Sequence, residues 1–148
     1  MKTVTKSYKI RIYPHRSLQD AFHENFGYNR FIFNQLLGNN NLITNTILNN
    51  PRINPNNYKS SINRVTTNKW LNIFKKTFPF LKDGESTSMQ STCDRFNDSF
   101  RRFFKKQNGY PKFKSKKNPI QSIKLKNNNN SIRFENKQVR LNKFGFVK

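Results

Sequence analysis

Apolar and basic residues alternate near the start of the chain. Tyr8-Lys9-Ile10-Arg11-Ile12-Tyr13 has a period of two, which predicts a β-strand with one wet, cationic face. Pro14 should stop it. Ser17 with Asp20 three residues later has the form of an N-cap with an acid in the first turn. Leu18, Phe22, Phe26, Phe33 and Leu37 then follow at largely helical spacing, so a helix is expected to about Leu37, ended by Gly38 and the three asparagines after it. Residues 39–57 contain Pro51, Pro55 and many Asn, and read as an irregular loop with room for one helical turn.

A second helix is expected from Tyr58 to about Phe74, with Ile62, Val65, Ile73 and Phe74 on its buried side. Phe78-Pro79-Phe80-Leu81 reads as an apolar loop and Asp83-Gly84 as a turn. The third helix has the clearest pattern: Met89, Cys93, Phe96, Phe100 and Phe103 form one continuous apolar stripe, and Thr87 with Gln90 in front has the capping-box form. Past Lys106, Gly109, Pro111 and Pro119 break any helix. Short alternating stretches at 123–125, 132–134 and 139–141 predict strands, the last two joined by a turn at Glu135-Asn136-Lys137. The chain shows no internal repeat. Strand, three helices, then strands gives an α+β class, a β-domain interrupted by a helical insertion.

Charge changes this picture from architecture to partner. Twenty-nine Lys and Arg stand against seven Asp and Glu, a net charge of +22 over 148 residues. Residues 101–126 hold ten of the bases and no acid. Such a field repels itself unless a polyanion neutralises it, which points to nucleic acid. The hydrophobic fraction is 33%, but fifteen Phe, five Tyr and one Trp supply a modest core and leave aromatics for stacking on bases. One cysteine, Cys93, allows no intrachain disulfide and fits a reducing compartment. The first residues have no apolar leader-like run, and no stretch approaches membrane-spanning length, so a soluble, intracellular protein, cytoplasmic or nucleoid-associated, is expected. The abundant Asn carries no functional weight.

The basic residues sort into two neighbouring groups. Lys112, Lys114, Lys116 and Lys117 alternate with Phe113 behind Gly109 and Pro111, an extended arm able to lay ammonium groups along a phosphate backbone. Arg101, Arg102, Lys105 and Lys106 continue that field at the end of the third helix. The acids make a poor metal site. Only Asp94 and Asp98 share a helix face, and ordinary ion pairs, with Arg101 and Arg102 just beyond Asp98, account for them better. One Cys and two distant His, His15 and His23, match no zinc spacing. Cys93 reads as a small core residue. No catalytic centre, metal or cofactor is expected.

Four segments in order resemble the N-terminal part of TnpB (OrfB), the transposon-encoded RNA-guided nucleases related to type V CRISPR effectors. They are Tyr8-Lys9-Ile10-Arg11-Ile12-Tyr13-Pro14; Phe26-Gly27-Tyr28-Asn29-Arg30-Phe31-Ile32-Phe33-Asn34; Ser88-Met89-Gln90 leading to Phe96 and Arg101-Arg102-Phe103-Phe104; and Gly109-Tyr110-Pro111-Lys112-Phe113-Lys114-Ser115-Lys116. The tail from Val139 is similar to a strand of that family, with Asn142 where proline is usual.

The resemblance implies an incomplete wedge-type β-domain, residues 1–14 and 108–148, with a three-helix recognition lobe inserted at 15–107, a part also called an OrfB-type helix-turn-helix domain. The family's carboxylate-bearing nuclease module would begin after Lys148, so binding of guide RNA, target DNA or both is expected, without cleavage by this chain. A missing nuclease module could be supplied by another chain. The resemblance also places Gln90 where the family reads the short motif flanking its target, in competition with its capping role beside Thr87, and Tyr58 as an aromatic contact in the same lobe. The basic residue usual shortly before Gln90 is absent, with Ser86 nearby, so no motif preference carries over. A stand-alone DNA-binding regulator and an inactive remnant of a broken transposon gene are the alternatives.

Overall fold

The computed structural model describes residues 1–52 and 62–148. It is α+β: three helices, α1 (Arg16–Leu48), α2 (Arg64–Thr77) and α3 (Ser86–Phe104), precede a small antiparallel sheet of β1 (Arg133–Glu135), β2 (Gln138–Leu141) and β3 (Gly145–Val147), and a 3₁₀ turn (Pro79–Asp83) links α2 to α3.

The stripe on α3 does what its spacing requires. Met89, Cys93, Phe96 and Phe100 are buried and Phe103 packs beside them, against Ile32, Phe33, Leu36 and Leu37 of α1 and Leu71 and Phe74 of α2. Phe96 meets Phe33 edge-on at 5.6 Å between ring centroids, the favoured aromatic geometry. Leu81 fills the end of this core from the 3₁₀ turn. Gly84 follows where the chain squeezes past the Tyr28 ring: a Cβ there would lie 3.0 Å from Tyr28 Cδ2 and would overlap Met89 Cε.

Local signals misplace several boundaries. α1 does not end at Gly38 but runs on to Leu48, because Asn40 is buried on the helix and both it and Asn41 engage the hydroxyl of Tyr110. Tertiary contact here overrides the turn preference of Gly and Asn. Its N-cap is His15, not Ser17; the Ser17 hydroxyl bonds His15 Nδ1 at 2.8 Å instead of a backbone N–H. On α2, Val65 and Ile73 are exposed and the buried face is Thr67, Leu71 and Phe74; the helix starts at Arg64, capped by Asn63, whose side chain accepts from the Thr66 N–H. The cap of α3 is Glu85, whose carboxylate accepts from the N–H groups of Thr87 and Ser88, so the Thr87–Gln90 capping box does not form.

The expected hairpin is present. β1 pairs with β2 in the register Phe134↔Val139, and Asn136 and Lys137 both take positive φ, 47° and 60°, as a two-residue primed turn demands. β3 then pairs with β2. The strands expected at 8–13 and 123–125 do not form. Their alternation is real, since Ile12, Ile123 and Leu125 are partly covered while Arg11 and Lys124 are exposed, but no neighbouring strand completes a ladder. Residues 8–13 lie beside β3 through one backbone bond, Tyr13 N–H to the Lys148 carbonyl, at 2.6 Å. A second apolar cluster forms there from Leu18, Val139 and Val147, with Ile12, Phe22 and Phe144 packed around it. No helix among the described residues is long and apolar enough to cross a membrane.

Candidate nucleic-acid interface

The basic region begins where α3 ends. Lys106 adopts φ 58°, its N–H bonds the Phe103 carbonyl and the Gln107 N–H reaches back to the Arg102 carbonyl. That pair of bonds is a Schellman stop, with lysine in the left-handed position that glycine usually takes. It turns the chain out of the helix and back along the body. Arg101, Arg102, Lys105 and Lys106 are all exposed at this corner.

Residues 109–118 are not a free arm. They form a strap laid on α1. Tyr110 packs edge-on against Phe100 and Phe103, with centroids 5.4 and 5.2 Å away, and its hydroxyl donates to Asn41 Oδ1 at 2.6 Å. Further back along α1, Asn34 grips the Lys114 peptide from both sides. Its Oδ1 accepts the Lys114 N–H at 2.7 Å and its Nδ2 donates to the Lys114 carbonyl at 3.0 Å. Lys114 Nζ sits 4.8 Å from the centroid of the Phe33 ring. The backbone is thus held while Lys112, Lys114, Lys116 and Lys117 remain exposed. Of the ten bases between 101 and 126, Arg101 pairs with Asp98 at 3.0 Å and Lys126 with Asp94 at 2.8 Å; the others face no carboxylate among the described residues.

Gln90 is exposed on the first turns of α3, free of the capping role that Glu85 takes. Tyr58 lies outside the described residues. The α1–α3 contact that positions Gln90 is polar as well as apolar. Buried Asn25 accepts the Glu85 N–H at 2.8 Å, and buried Asn29 donates to Ser88 Oγ at 2.9 Å and accepts from the Thr92 hydroxyl at 2.6 Å. These asparagines are structural, and buried amides satisfied this way fix one register of the two helices.

Asp94 also lies 3.8 Å from Arg64, so Asp94 and Asp98 are engaged in ion pairs. Among the described residues no group of His, Cys, Asp and Glu is placed to hold a metal ion. Burial, with help from nearby Asp94, pushes the Cys93 thiol up to about 12. Tyr28 is also raised, by burial first and then by Glu24 and Asp83.

Two cations that the charge pattern alone does not single out lie beside the lysines of the strap. Arg30 on α1 and Arg95 on α3 converge with Lys114 around one cleft. Arg30 falls within the Asn29-Arg30 segment that carries the family resemblance; Arg95 gives no signal beyond being the polar residue beside the apolar stripe.

No curated protein matches the chain. Residues 1–42 match the IS605 OrfB family described as a helix-turn-helix domain, a span that covers the N-terminal segment and most of α1. The N-terminal part of this chain is thus similar to an OrfB-type helix-turn-helix domain.

Proposed function

We propose that this chain is the nucleic-acid-binding portion of a TnpB-type, transposon-associated protein that holds structured guide RNA, target DNA or both, with cleavage the task of a nuclease module that these residues do not form. The observation that carries the reading is the strap: a run of lysines whose backbone is clamped to α1 by Asn34 and Tyr110 while the ammonium groups stay in solvent, continuous with the Arg and Lys corner of α3. A fixed backbone with free cations suits phosphate contact, because the geometry is set before binding and little ordering remains to be done. The match at residues 1–42 supports a DNA-binding, transposon-associated role. In this reading the helical part, residues 15–107, is the recognition lobe. Residues 1–14 and 108–148 are the wedge, supported by the packing of Ile12 with Val139 and Val147. Gln90 reads a base edge, since a Gln amide can bond adenine bidentately in the major groove.

Salt titration tests the reading. If about six to ten phosphates are neutralised, affinity should fall by roughly 10³–10⁵ between 50 and 200 mM salt. Charge reversal at Lys112, Lys114, Lys116 and Lys117 should weaken binding to every sequence alike. A nearly flat salt dependence on both RNA and duplex DNA would overturn it.

A further inference from the structure

The strap does more than present lysines. Where residues 114–122 cross between α1 and α3 they wall off two adjoining depressions that share Phe26, Arg30 and Gln121. The first, about 120 Å³, draws Arg30, Arg95 and Lys114 from three separate segments and has no Asp or Glu in its lining. The second is a wider hollow of about 840 Å³, floored by Tyr28, Phe31 and Phe80 and edged by Lys116; its one carboxylate is Glu24. The aromatic floor is a connected set. Phe80, 42% exposed, stands 5.2 Å from Phe31 and 5.9 Å from Tyr28 between ring centroids.

A cationic cleft opening into an aromatic hollow matches one ligand chemistry, a phosphate joined to a planar base. A duplex cannot use it, because its bases are stacked inside and offer only their edges. We propose that this pair of depressions seats an unpaired nucleotide of a single-stranded segment, the phosphate against Arg30, Arg95 and Lys114 and the base against the Phe80 surface. The inference rests on the nucleic-acid reading above and narrows it: the general cationic field serves any polyanion, whereas this site requires a base free of its partner.

Anisotropy with a ten-nucleotide oligo(U), its oligo(dT) counterpart and a blunt duplex, all at one salt concentration, separates the two. Phe80→Ala should weaken at least one single strand roughly 5- to 150-fold, the range set by loss of one stacked base, and change the duplex less than twofold. Phe80→Trp should restore binding. Arg95→Gln should weaken the same strand and lower its salt slope by about 0.7. A 5-iodouridine strand should photocrosslink to Tyr28, Phe31 or Phe80 in the parent protein. Equal losses on strand and duplex, or crosslinks confined to other regions, would overturn the site while leaving the general binding intact. Failure of the parent protein to bind any of the three probes at low salt would overturn the broader reading.

Discussion

Replacing Asn34 by alanine should release the strap without disturbing the helical core. The Asn34 amide holds both polar groups of the Lys114 peptide, at 2.7 and 3.0 Å. Each net hydrogen bond contributes about 0.5–1.5 kcal/mol, and at this exposed site water can replace both partners, so about 1–2 kcal/mol is expected from the pair. That is a local opening free energy, which makes Lys114 amide exchange roughly 5- to 30-fold faster while exchange across α3 stays as slow as before. Asn34→Asp keeps the acceptor and loses the donor, and should fall between the two. Binding follows from the same number. A loosened strap must be ordered again when it meets phosphate, so affinity should drop by up to the same factor, with the salt slope unchanged because no charge was removed. Hydrogen exchange by mass spectrometry on a peptide covering 112–118, compared with one in α3, reads the first effect; anisotropy at three salt concentrations reads the second. Unchanged exchange at Lys114 would show that Asn34 does not clamp the strap, and that Tyr110 and the contact of Lys114 with the Phe33 ring hold it alone.

Gln90→Ala should leave the melting temperature unchanged, because Glu85 is the cap, and should cost about 1–3 kcal/mol against one particular base pair in a randomised target selection. Identical preference in mutant and parent would end the readout role. Cys93 should resist a thiol reagent at pH 8 in the folded protein and react fully in denaturant: with its pKa raised to about 12 the folded thiol stays protonated, while the unfolded one ionises above about pH 8.5. Rapid native labelling would show that the α2–α3 contact around it opens.

What the sequence made legible was whatever a single element decides for itself. The α3 stripe needed only its own 3.6-residue period, and the β1–β2 hairpin only alternation plus a turn at Asn136 and Lys137. The failures lie where a distant residue supplies the decision. Gly38 and the asparagines after it are turn formers in isolation, and the helix runs on through them where Asn40 and Asn41 meet the hydroxyl of Tyr110, some seventy positions on. Val65 and Ile73 are more apolar than Thr67, yet Thr67 is buried in their place, held by its hydroxyl bonds to the Asn63 and Arg64 carbonyls and by Asn97 of α3. The lysines of the interface were visible as a charge run, but the strap was not, because its clamps are Asn34 and Tyr110, uncharged residues indistinguishable by composition from the other asparagines and aromatics. Arg95 shows the same limit: its place beside Arg30 and Lys114 depends on the register of α1 against α3, set by Asn25 and Asn29.

A distant polar contact also joins the helical part to the sheet. The sheet meets α1 through the apolar packing of Leu18 and Phe22 with Val139, Val147 and Phe144, whereas its join to α3 is polar and passes through Thr87 at the start of that helix. The Thr87 hydroxyl donates to the Glu85 carboxylate at 2.8 Å, and accepts from the Lys126 N–H at 3.0 Å and from Asn142 Nδ2 at 3.3 Å. Asn142 Nδ2 also reaches the Lys126 carbonyl at 2.8 Å, and the neighbouring Lys143 ammonium bonds the Asp83 carbonyl. Proline, the residue expected at position 142 from the family resemblance, has no amide to make either Asn142 bond. Because hydrogen bonds are directional where apolar contact is not, this junction fixes the angle between hairpin and α3. Gln90 lies one turn further along α3 from Thr87, so the polar junction sits beside the start of the helix that carries it.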